Sequence, residues 1–202
     1  MAVKLTVIFF LVMLNEKRVV VLMQTKKEFR KLQIKRMQES QAETREAGAL
    51  LAKKLFSTKL WQDAKTFGLV KATPLEVPTD VISKQAKLEG KTIYYPRTMP
   101  KRQMAFLQAD TPEDFEVSSF NILEPKYDPA KLATSLDLII VPGIAYALDS
   151  KKRIGYGGGY YDRFLGNFSG NTVALVPPVM SYDTAAWPIE DFDVTIQHLI
   201  TL

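Results

Sequence analysis

Arg153-Ile154-Gly155-Tyr156-Gly157-Gly158-Gly159-Tyr160-Tyr161-Asp162-Arg163 is the stretch of this chain best equipped for chemistry. Its closely spaced glycines allow positive φ and leave backbone N–H groups bare of side chains. Ahead of a helix, such N–H groups form a cradle for anions, phosphate above all. Arg153 and Arg163 bracket the loop, and guanidinium groups grip phosphate oxygens through paired hydrogen bonds. Asp162 falls in the first turn of a helix predicted from about residue 160. There it is either a helix-start carboxylate or a ligand for Mg2+, which takes one or two protein carboxylates and completes its shell with phosphate oxygens and water. Counting excludes two common nucleotide loops. No Lys follows the glycines, as G-x-x-x-x-G-K-[ST] requires, and Gly155-x-Gly157-x-x lands on Tyr160, which breaks G-x-G-x-x-G. The plainer alternative is a tight strand-to-helix turn with solvated arginines.

Other residues could serve the same chemistry. Lys26 and Arg30 are four apart and share one helix face, where they either reach phosphate groups or stay solvated. Glu76 sits in a loop before a predicted helix. Tyr160 and Tyr161 can stack on a flat ring or hydrogen-bond through their hydroxyls, and Phe120 is a pocket wall or plain packing. The chain has no Cys and one His, His198, so thiol catalysis, disulfides and multi-histidine metal sites are excluded. The net charge of +5 is concentrated early: residues 23–60 hold the surplus of Lys and Arg, whereas 61–202 are net acidic. Such clustering suits a polyanionic partner, either nucleic acid or a phosphorylated small molecule. Aromatic interleaving of the kind that stacks RNA bases is missing from the basic segment.

The elements that must position these residues read as follows. Thr25-x-x-Glu28 is a capping box, and it predicts a basic helix over 26–38. Ser40-x-x-Glu43 reads as a second box, opening a helix through Leu50, Leu51, Leu55 and Phe56. Residues 67–71 form a short strand, and Thr79 or Asp80 caps a helix that stops at Gly90. A strand over 92–95 is closed by Pro96, another covers 104–108, and 109–135 is loop-rich. Residues 136–141 (LDLIIV) suit a central strand buried on both faces, extended by 144–148. Residues 172–176 and 194–200 supply the last strands. Strands alternating with helices predict an α/β fold: a three-layer, Rossmann-like open sheet, mostly parallel, with helices on both faces. Ligands of such sheets bind beyond the carboxyl ends of the strands, where the glycine loop falls. The apolar run over 5–14 is too short to span a membrane, which needs about 20 residues. Residues 1–22 therefore read as an N-terminal extension (a signal or anchor, a buried extra element, or a segment outside the working unit), with 23–202 a single domain.

VPGIAY followed by RIGYGGGYYDRFL resembles the signature of the 5-formyltetrahydrofolate cyclo-ligase (methenyltetrahydrofolate synthetase) family. Lys26-x-x-x-Arg30, Glu76-Val77-x-Thr79, Met104-x-Phe106, Glu124-Pro125 and the closing Asp193…Ile200-Thr201 are similar to further family segments. Three departures fall here: a longer spacing from Tyr146 to Arg153, Val70 where Tyr is frequent, and Phe120 where some members have Trp. The resemblance implies an ATP- and Mg2+-dependent ligase that cyclises 5-formyltetrahydrofolate, or its polyglutamates, to 5,10-methenyltetrahydrofolate, releasing ADP and phosphate. It implies ATP contacts from Lys26, Arg30, Arg153, Gly155, Gly157, Gly158, Gly159 and Tyr160. Substrate contacts fall to Glu76, Phe120 and Tyr161, catalytic roles to Arg153 and Tyr161, and the metal to Asp162. It further implies a cytoplasmic monomer that engages neither membrane nor nucleic acid. The rival reading is a non-catalytic nucleotide- or RNA-binding protein that uses the basic N-terminal helices.

Overall fold

The computed structural model describes residues 25–202, preceded by a short antiparallel pair, β1 (Leu14–Asn15) and β2 (Arg18–Val19). Apart from that pair, the extension expected over 1–22 lies outside the described residues. Helix α1 (Lys26–Glu39) starts where the capping box places it: the Thr25 hydroxyl accepts from the Glu28 N–H at 3.2 Å, and the Glu28 carboxylate accepts from the Thr25 N–H at 3.1 Å. Only Ser40 separates it from α2 (Gln41–Phe56), and the second box does not form. A capping side chain needs an extended backbone beneath it. Ser40 instead sits at φ −112°, ψ 28°, its N–H closing α1 on the Arg36 carbonyl.

After α3 (Lys59–Asp63) come β3 (Thr66–Gly68), α4 (Asp80–Leu88), β4 (Thr92–Met99) and β5 (Gln103–Gln108). A hairpin follows, β6 (Phe115–Val117) and β7 (Leu123–Pro125), inside the stretch predicted to be loop-rich. The remainder runs β8 (Leu138–Ile140), β9 (Ala145–Ala147), β10 (Arg153–Ile154), α5 (Tyr160–Leu165), β11 (Asn171–Leu175), β12 (Ser181–Tyr182) and β13 (His198–Ile200).

The central sheet has six strands in the order β13-β11-β8-β3-β4-β5, and every pairing is parallel except β4 with β5. Alternating side chains send β8 and β11 into two cores. Leu138, Ile140, Val173 and Leu175 pack with Leu51, Leu55, Trp61 and Ile82 beneath α2, α3 and α4. Ile139, Val141, Ala174 and Val176 pack with Phe29, Met37, Leu165 and Trp187 beneath α1 and α5. Three layers result, as the strand–helix alternation predicts. Among the described residues no helix is long and apolar enough to cross a membrane.

Three boundaries depart from the sequence reading. Strand β4 runs through Pro96 to Met99, because β3 pairs with it only over Thr92, Ile93 and Tyr94. The missing N–H of Pro96 therefore faces no partner on that side. The segment 144–148 does not extend β8: β9 joins a separate sheet, β10-β9-β12. The last strand keeps only His198–Ile200, since Thr195 is drawn into a bridge with Lys152.

Candidate active site at the glycine loop

The glycine loop connects β10 to α5 beside the carboxyl ends of the parallel strands. Gly157 at φ 107° and Gly159 at φ 68° hold conformations that L side chains rarely adopt. A Cβ on Gly157 would come within 3.3 Å of the Arg30 guanidinium, and one on Gly159 within 2.6 Å of the Arg163 guanidinium. Gly159 is also the N-cap of α5, which is only six residues long. So short a helix adds little dipole, which leaves the loop amides as the groups available to an anion. There the backbone N–H groups of Tyr156, Gly157, Gly158 and Gly159 make no hydrogen bond among the described residues.

Side chains predicted from the sequence gather around these bare amides. Arg30 reaches across from α1 and donates from Nε to the Gly155 carbonyl at 2.8 Å. Lys26, one turn earlier, is held by Glu190 and Asp193, both at 2.6 Å. Arg153 is buried, its side chain 3% exposed, and donates to Asp162 Oδ1 at 3.1 Å. Among the described residues its Nε makes no hydrogen bond, and neither does the buried hydroxyl of Tyr161, whose ring lies 5.5 Å from the Arg153 guanidinium carbon. Phe120, exposed on the β6–β7 turn, meets Tyr160 edge-on with centroids 5.9 Å apart. Arg163 folds back against the end of the loop and donates to the Gly159 carbonyl at 3.0 Å.

Glu76 sits in the segment between β3 and α4. It lines a cleft with Val70, Val77, Pro142, Gly143, Tyr146 and Met180. Its carboxylate accepts from the Thr73 N–H at 2.8 Å, while burial pushes its pKa above the ordinary carboxylate range. Burial also raises the Tyr156 hydroxyl to about 12 and those of Tyr146 and Tyr161 further still. The Glu76 charge adds to all three shifts, and Arg153 opposes those of Tyr146 and Tyr161. Of these groups, Glu76 and Tyr146 line the same cleft.

The sequence assigned no place in the site to Tyr146, Thr79 or Asp193. Tyr146 is buried and donates to the Val141 carbonyl at 3.0 Å. A tyrosine inside an apolar run must find such a partner, and that was the available signal. The Thr79 hydroxyl donates to the Val70 carbonyl at 2.8 Å, pinning the loop that carries Glu76. Its sequence signal pointed elsewhere, to a helix cap that does not form.

The residues present fit a phosphate-dependent metal site rather than a self-sufficient one. Among the described residues no three His, Asp or Glu side chains gather to hold an ion. Asp162 engages Arg153 and, at 3.4 Å, the Val194 N–H through Oδ1, leaving Oδ2 without a hydrogen bond among the described residues. One free carboxylate oxygen beside an anion cradle suits Mg2+, which keeps water and phosphate in its shell.

Comparison with known proteins points to one family. The chain is 28% identical over 150 residues to the 5-formyltetrahydrofolate cyclo-ligase of Haemophilus influenzae, covering 67% of this chain and 77% of that one. It is 31% identical over 124 residues to the Mus musculus enzyme of the same name, covering 57% and 61%. The NMR structure of Aquifex aeolicus 5,10-methenyltetrahydrofolate synthetase superposes with a TM-score of 0.73 at 26% identity, over 87% of this chain and 89% of that one. A Mycoplasma pneumoniae 5,10-methenyltetrahydrofolate synthetase shares the fold with a TM-score of 0.65 at 22% identity, over 88% and 98%. The sequence model of the 5-formyltetrahydrofolate cyclo-ligase family matches residues 22–202. With that span matched from α1 to β13, and the glycine loop built as described, the chain belongs to the 5-formyltetrahydrofolate cyclo-ligase family, whose members are ATP-dependent ligases.

Proposed function

We propose that this chain converts 5-formyltetrahydrofolate and ATP to 5,10-methenyltetrahydrofolate, ADP and phosphate. The observation that carries the reading is the row of unpartnered N–H groups from Tyr156 to Gly159, set between Arg30 and the buried Arg153. The chemical logic is independent of family. A formamide carbon is a weak electrophile, and its oxygen leaves poorly. Phosphorylation of that oxygen makes it a leaving group, the neighbouring N10 amine attacks the carbon, and phosphate departs with the oxygen. Positioning and charge stabilisation dominate such a reaction, which suits a site with no Cys and no His.

In this reading the loop amides of Gly155, Gly157, Gly158 and Gly159 cradle phosphate oxygens, with Arg30 and Lys26 on the α1 side and Tyr160 at the loop's end. Arg153 offsets negative charge on the transferred group. Asp162 holds Mg2+, which when bound neutralises phosphate charge. Glu76, Tyr161 and Phe120 orient the reduced pterin, the Tyr161 hydroxyl near the reacting formyl group. The glutamate carboxylates of the substrate, single or in a chain, meet a basic surface. The same reading makes the chain a cytoplasmic monomer.

The decisive measurement is absorbance of the methenyl product, with and without ATP and Mg2+. ATP-dependent product is expected, and a folded sample that forms none overturns the proposal. In the same assay Asp162→Asn, which keeps an acceptor for Arg153, is expected to fold and to lose Mg2+-dependent turnover. Wild-type turnover in that variant ends the metal role of Asp162.

A further inference from the structure

Lys26 is surrounded by more negative charge than it can neutralise. Its ammonium meets Asp193 at 2.6 and 2.7 Å and Glu190 at 2.6 Å, one cation between two carboxylates. The two acids differ in how they are held. The Asp193 side chain is 7% exposed and also accepts from the Glu190 N–H at 2.8 Å, and its main-chain carbonyl receives Lys152 Nζ at 2.5 Å. Asp193 is fixed. The Glu190 side chain is 49% exposed, and Lys26 is its one hydrogen-bond partner among the described residues. Nothing but that contact restrains its carboxylate, because the Asp193 turn pins only its main chain.

Arg30 shows the contrast one turn along the same helix. It carries no carboxylate partner and gives a single hydrogen bond, to the Gly155 carbonyl, among the described residues. Of these two α1 cations, one is free of carboxylates among the described residues and the other is covered by a half-exposed one.

We propose that Glu190 is an intramolecular stand-in for phosphate. Its carboxylate holds Lys26 while no nucleotide is bound, and it swings outward when a triphosphate oxygen takes its place on Nζ. Asp193 stays and keeps the lysine aimed. Glu190 thereby sets nucleotide affinity without touching the reacting atoms. Removing it takes away both a competitor for Lys26 and a like charge beside a polyanion, so binding tightens. This inference rests on the proposed reading of Lys26 as an ATP contact.

Calorimetric titration with MgATP of the whole chain tests it, in the wild type, Glu190→Gln, Glu190→Ala, Lys26→Ala and the double variant Lys26→Ala/Glu190→Gln. Expected are a 3- to 10-fold lower Kd in both Glu190 variants, a higher Kd in Lys26→Ala, and no gain from Glu190→Gln once Lys26 is gone. Thermal midpoints should stay within a degree or two of wild type in the Glu190 variants, because the side chain is half in solvent. A merely structural role for Glu190 would move the midpoint and leave or weaken affinity. Wild type that binds MgATP while both Glu190 variants bind it equally or more weakly overturns this proposal alone. Wild type that binds no MgATP overturns the nucleotide reading and this inference together.

Discussion

Burial raises the Glu76 carboxyl above its ordinary range, and the Thr73 N–H offsets that only in part. The sign of the consequence follows from linkage. A raised folded-state pKa means that the fold favours the protonated acid. The contribution to stability is complete below the ordinary carboxylate range and is lost as pH rises through the elevated value. At neutral pH an ionised Glu76 therefore destabilises the substrate-free chain. Glu76→Gln, which can still accept from Thr73, should melt at a higher temperature than wild type at pH 7 and at the same temperature near pH 3.5. Its turnover should fall about a hundredfold, the scale on which misplaced substrate costs rate. Paired melting curves at the two pH values check the first half, and an equal difference at both would remove the electrostatic explanation. A site that destabilises its own scaffold is a common trade where a charged group awaits a ligand.

The loop that carries Glu76 is an element built by one hydroxyl. Thr79 is buried and bonds the Val70 carbonyl while accepting from the Ala72 N–H at 3.3 Å, so both ends of the loop are tied to one atom. Thr79→Val keeps the shape and deletes the oxygen, leaving the Val70 carbonyl and the Ala72 N–H without that partner, a cost of about 1–3 kcal/mol. Because the glycine loop stands apart from this tie, the KM for 5-formyltetrahydrofolate should rise several-fold while the KM for ATP holds; equal rises in both would mean that Thr79 supports the whole site. Sequence alone located the glycine loop, α1 with its capping box, and β8, since each depends on local chemistry: positive φ, an extended cap residue, an unbroken apolar run. It misread what depends on neighbours. Thr79 looked like a cap until its hydroxyl had a carbonyl to bind, Ser40 could not cap α2 while closing α1, and Pro96 ends a strand only where a partner needs its N–H. The ion pairs of Lys26 were equally out of reach, because Glu190 and Asp193 lie more than 160 residues downstream.

At the scale of the whole molecule, the two cores share their strands. Ile139 and Ile140 are adjacent in β8 yet face opposite layers, as do Ala174 and Leu175 in β11. Neither layer can open without breaking the strands that hold the other, so unfolding should be a single transition. The two tryptophans are placed to test this: Trp61 in the α2–α4 core and Trp187 in the α1–α5 core, both buried. Single-tryptophan variants, Trp61→Phe and Trp187→Phe, should each report one cooperative curve in which fluorescence and circular dichroism coincide. The candidate site draws α1, the glycine loop and Asp193 from one layer and the Glu76 loop from the edge of the other, so a ligand bound there braces both. MgATP at a hundred times its Kd contributes about 2.7 kcal/mol, and for a chain of this size each kcal/mol moves the midpoint by roughly 2–4 °C. Both tryptophans should therefore report an upward shift of about 5–10 °C, equal within error. A shift seen by Trp187 alone would mean that the layers unfold separately and that nucleotide steadies only the face that α1 covers.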